Sequence, residues 1–191
     1  MTMLHLNDAF GKLFWGNLGV AVCCGFYLIW WAVAFKPEGG APEMLSVVLF
    51  ILAAASGITG VVLAVKGIQG VVVSRTLFPK WSLPLGGVIA YIVLFLATSF
   101  FLKRPVTTEL LLIVGWTVFA LATVGALYGA GKMDWTPSMV WCVAAVGVGI
   151  ISMVCYMVYY QLEPVTGYYD GMIPLVLCGL YMAGLCVKMV H

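Results

Sequence analysis

The chain has 191 residues, of which 64% are hydrophobic and 8% charged, with a formal net charge of +2. Soluble domains are about half apolar and a quarter charged, so this composition, with a mean hydropathy of +1.12, excludes a water-soluble globular protein. The expected surroundings are a lipid bilayer, and the chain is short enough to form one domain.

Six apolar runs of about 18 to 24 residues each suffice to cross a hydrocarbon core of about 30 Å. They are expected near residues 14–35, 44–65, 83–102, 110–130, 139–160 and 172–190. Short segments with polar-apolar alternation, the mark of a transmembrane barrel, are absent. The expected fold is an all-α, six-span integral membrane protein over 1–191, with approximate halves 1–103 and 104–191. The first run is too long for the apolar core of a cleaved signal and is flanked only by Lys12, so it is expected to stay in the mature chain.

That first run ends in GFYLIWWAVAFKPEGG, residues 25–40. On a helix Phe26 and Trp30 share one face and Tyr27 and Trp31 another about 100° away, which makes one broad aromatic side. The rings fit a membrane-interface belt close to Lys36. The alternative to that favoured reading is the wall of a cavity that holds a planar or cationic solute. The tyrosines 156, 159, 160, 168 and 169 crowd the same end and raise the same pair of readings.

The second run continues past Lys66 and Gln69 into GIQGVVVSRTLFPKW. Lys66 is placed to snorkel to headgroups; alternatively Lys66 and Gln69 project into the inner mouth of a pathway. Arg75, Phe78, Lys80 and Trp81 read as an interfacial loop. Ala53, Gly57, Gly60 and Ala64 form a narrow stripe that suits close helix packing.

The third and sixth runs echo each other. PLGGVIAY carries Pro84 and Tyr91, PLVLCGLY carries Pro174 and Tyr181, and both read P-L-x5-Y. Proline suits a first helical turn, which would set each Tyr about 10 Å below its entry surface. The copies stand three helices apart, as in an inverted three-plus-three repeat with a solute site near the midplane. Chance recurrence of Pro and Tyr would leave the same trace. A weaker echo, Lys36 to Met44 against Lys132 to Met139, needs a gap.

With the N-terminus inside, Lys12, Lys66, Arg75, Lys80, Lys132 and Lys188 face Lys36, Lys103 and Arg104 across the membrane. The positive-inside rule therefore favours both termini in the cytoplasm, in the manner of a bacterial inner-membrane protein. Glu38, Glu43, Glu109, Glu163 and Asp170 then fall outside. No Asp or Glu lies in an expected span, which argues against tight coupling to protons or sodium. His5 and His191 are terminal, removing intramembrane His ligation of haem or metal. The six cysteines, Cys23, Cys24, Cys142, Cys155, Cys178 and Cys186, form no C-x-x-C pair and read as small apolar fillers. Among the polar residues at depth, Ser56, Thr59, Ser99, Thr117, Thr123 and Ser152 can bond to their own helix. Asn17 cannot do so as readily.

These features favour a transport protein, either a channel-like conduit or a substrate-binding subunit, for a small neutral or weakly cationic solute. Asn17, Tyr27, Trp30, Tyr91 and Tyr181 are the expected solute contacts, with Lys66 and Gln69 at the inner mouth. No catalytic group, cofactor, metal or nucleic-acid partner is expected. The alternative is a non-transporting subunit that packs into a homo-oligomer or larger membrane complex through its small-residue stripes.

Overall fold

The computed structural model describes residues 8–37, 39, 42–79, 81–103 and 108–191. His5, Glu38, Lys80 and Arg104 lie outside them. The described residues form α1 (Ala9–Ala34), α2 (Glu43–Gly70), α3 (Ser82–Leu102), α4 (Thr108–Gly129), α5 (Trp135–Tyr159) and α6 (Pro164–Val190), with no strand among them. Each helix is long and apolar enough to cross a membrane. The protein is therefore an all-helical membrane protein, its backbone groups satisfied within each span as lipid requires.

Several helices reach past the apolar runs. α1 starts at Ala9 because Asp8 caps it, its carboxylate accepting the Phe10 N–H at 3.2 Å. The largest extension is at α6, which starts at Pro164 rather than near residue 172. Pro164 occupies the first helical position, where its fixed φ and missing N–H cost nothing, and PVTGYYDG continues from it without a break. Two expectations change as a result. Pro174 is inside α6, not in its first turn, whereas Pro84 does stand in the first turn of α3. The two P-L-x5-Y copies thus occupy different helical contexts, and the inverted repeat is not confirmed. Asp170, expected in a loop, is helical and within the sixth candidate span, about 9 Å along the axis from the helix start.

The chain forms two compact units, one of residues 1–71 and 155–191 and the other of residues 72–154. In the first, α1 packs along α2 on one side and α6 on another. The α1–α2 seam is built from the small residues of α2. Gly67 meets Leu13, Ala64 meets Gly16, Gly60 meets Gly19, and Gly57 meets Cys23, so the helices run antiparallel. A Cβ added at Gly60 would lie 2.8 Å from the Gly16 carbonyl oxygen. Only glycine permits that approach of two backbones.

In the second unit α3 packs on α4, with Gly87 against Val118, and α4 meets α5 where Gly149 faces Thr117. α4 ends in a Schellman turn. Gly131 takes φ 69°, its N–H donates to Tyr128 O, and the Lys132 N–H donates to Leu127 O. The connector before α3 docks on this end of α4. Ser74 donates both N–H and hydroxyl to Gly129 O at 3.0 Å, and Phe78 covers Gly125. Of the loop expected at an interface, Phe78 is thus held by packing, while Arg75 and Trp81 are exposed.

Candidate functional site

Trp30 and Trp31, adjacent in sequence, serve different helix contacts. The Trp30 indole N–H donates to Ser46 Oγ on α2 at 2.9 Å, and its ring lies 5.4 Å from that of Phe50. The Trp31 N–H donates instead to the Tyr168 backbone oxygen on α6 at 3.0 Å. Tyr168 returns the connection, its hydroxyl donating to Ala32 O at 2.9 Å. The Trp31 ring lies over Gly171, where no Cβ would fit, stacks on Phe35 and meets Tyr159 at 5.7 Å. A buried indole or phenol needs such a partner, and each ring finds one across a seam.

The expected solute contacts do not gather in one place. Tyr27 and Trp30 adjoin, their ring centroids 5.0 Å apart. Asn17 is thirteen positions before Trp30 on the same helix, about 20 Å away along the axis, too far for one small molecule to touch both. Tyr91 belongs to the second unit, stacked on Phe95 at 6.2 Å. Tyr181 is buried in α6 between two contacts with α1, Cys24 against Gly179 and Phe14 against Cys186. Asn17 occupies the same stretch of that seam and is fully buried. Its Nδ2 donates to Leu13 O at 2.7 Å, while Oδ1 has no protein partner. Lys66 and Gln69 are exposed near the end of α2.

A groove of about 230 Å³ runs along this stretch between α1 and α6, lined by Ala21, Cys24, Gly25, Leu28, Leu175, Val176, Gly179 and Leu180. Pockets for drug-sized molecules start at about 300 Å³, so only a smaller guest fits. Its walls are almost entirely apolar, and none of the expected contacts lines it.

Compared with known protein families, curated proteins and solved structures, the chain matches none.

A feature that sequence reasoning missed stands at the Trp31 end of the α1–α6 seam. Asp170 lies near the Cys155 thiol at the end of α5, and its Oδ2 is buried without any partner. Among the described residues no basic side chain pairs with it. Gly167, one turn earlier on the same face of α6, would place a Cβ 3.4 Å from the Tyr159 ring. Two carboxylates and a thiolate, or any other trio of His, Cys, Asp and Glu suited to a metal, do not occur together among the described residues.

The remaining polar groups divide cleanly. Ser56 donates to Leu52 O, and Thr117 to Ile113 O, each within its own helix. The hydroxyls of Ser99, Thr123 and Ser152, on three helices of the second unit, are buried without protein partners.

Proposed function

We propose that the protein is a membrane transport component, a conduit or substrate-binding subunit, for a small neutral or weakly cationic solute. The observation that carries this reading is Asn17: a fully buried amide, in a helix otherwise apolar at that depth, with a carbonyl oxygen that no protein group satisfies. An unmet acceptor of this kind costs about 1–3 kcal/mol. A solute donor passing along the α1–α6 seam would meet it, one turn before the stretch of α1 that lines a groove of fitting size. Tyr27 and Trp30, about 15 and 20 Å further along α1, then act at one mouth of the passage rather than at the same binding point, with Lys66 and Gln69 towards the other. The charge distribution supports placing both termini in the cytoplasm of a bacterial inner membrane, which puts the Trp31–Asp170 end outside.

The test is uptake by liposomes carrying the purified protein, with a panel of small amides, amines and alcohols. Asn17→Leu is expected to abolish any protein-dependent flux while raising the unfolding midpoint, because it removes a buried unmet acceptor. Tyr181→Phe should slow flux severalfold, and Tyr91→Phe asks the same of the second unit. A wild-type protein that moves none of the panel, or flux unchanged in Asn17→Leu, rejects the assignment.

The assembly-subunit reading retains one supporting observation. The open groove beside Gly25, where no atom lies within 4 Å of an added Cβ, is a surface on which another helix could pack. The α2 stripe no longer supports it, since α1 fills that stripe within the chain itself.

A further inference from the structure

We propose that Asp170 and its own backbone carbonyl form a binding site for a small monovalent cation at the Trp31 end of the first unit. Three observations converge there. The carboxylate lies near the Cys155 thiol, and its Oδ2 is buried with no partner. Four residues on, Pro174 stands inside α6; proline has no N–H and its ring presses on the carbonyl of residue i−4. That carbonyl is Asp170's, so the same residue presents a second oxygen without its usual donor. Finally, no basic side chain among the described residues neutralises the carboxylate.

An unpaired carboxylate in a membrane helix is costly and marks an ion or substrate path by default. Carboxylate and carbonyl oxygens are the ligands that hard cations select, and backbone carbonyls freed from helix bonding are groups that membrane carriers use to hold such ions. A single carboxylate, with no trio of metal-binding side chains around it, matches one positive charge better than two. Both sodium and the ammonium head of a small amine have this chemistry. Asp170 is a binding residue here, and the inference stands apart from the transport reading, because its readout is binding in detergent and not flux.

The experiment is thermal unfolding of the purified full-length protein at fixed ionic strength, with N-methylglucamine chloride replaced stepwise by sodium chloride, and separately by methylammonium chloride. A saturable rise of about 3–6 °C in the unfolding midpoint is expected at tenfold saturation. A response to sodium identifies an inorganic ion, and one to methylammonium a solute's charged head; either supports the site. Asp170→Asn should remove the response. Pro174→Ala, which returns an N–H to the Asp170 carbonyl and eases the helix, should fold readily and weaken apparent affinity about tenfold. No rise with either cation in the unmodified protein overturns the proposal. So does a response that survives Asp170→Asn, or one that Pro174→Ala leaves unchanged.

Discussion

Helix α1 presents two seams of opposite character. Towards α2 it meets glycine and alanine, and the backbones approach until a single added carbon at Gly60 would come within 2.8 Å of the Gly16 carbonyl oxygen. Towards α6 it meets side chains: the reciprocal bonds of Trp31, Ala32 and Tyr168, the buried amide of Asn17 and an open groove. Lipid tails are as apolar as the helices, so association in a membrane relies on close packing or on hydrogen bonds rather than on the hydrophobic effect. The α2 seam takes the first route and leaves no room for a guest. The α6 seam takes the second, and its polar groups are not all satisfied.

The contrast breaks most visibly at Gly16. Gly16→Leu forces a side chain into the Ala64 backbone and is expected to cost about 3 kcal/mol, the upper range for overpacking. That corresponds to a fall of roughly 6–12 °C in the unfolding midpoint. Gly25→Leu, on the same helix but facing open space, should shift it by less than about 2 °C. Equal losses at both positions would mean that the α1–α2 seam is not the tight one.

The number of helices and the class were legible because a lipid-spanning backbone must satisfy itself locally, and apolar run length then follows from bilayer thickness. The stripe Ala53, Gly57, Gly60 and Ala64 was legible as a packing face, but not its partner, since small residues admit any close-fitting helix. The start of α6 was missed for a physical reason. Its first turns carry Thr166, two tyrosines and Asp170, which lower hydropathy without weakening the helix that Pro164 begins. The misplaced boundary hid Asp170 and made Pro174 look like a helix start. The expected solute contacts were grouped by type and depth, and only helix geometry shows that Asn17 stands about 20 Å from Trp30.

The α6 seam is sharpened by taking away its two cross-helix bonds. Trp31→Phe removes the donor to Tyr168 O and part of the ring that covers Gly171, a loss of about 2 kcal/mol. Tyr168→Phe removes only the hydroxyl bond to Ala32 O, at about 0.6 kcal/mol. Because both bonds hold the same pair of segments, the double variant measured by thermal unfolding should lose less than the two single losses added. Strict additivity would indicate that the bonds act independently and that the corner is not one unit.

Trp30→Phe carries the smallest expected effect and bears most directly on why two tryptophans stand side by side. It removes a bond to Ser46 Oγ across a seam already fixed by glycine contacts, so its cost should stay near 0.6 kcal/mol. Ser46→Ala should reproduce that cost and add nothing to it in the double variant. An interface belt makes a different demand: each tryptophan would anchor to headgroups on its own, Ser46 would be irrelevant, and both Trp→Phe changes would alter stability alike and in a manner dependent on the surrounding lipid. A Trp31 loss about three times that of Trp30, with Ser46 coupled to Trp30 alone, is the signature of rings that join one helix to two different neighbours.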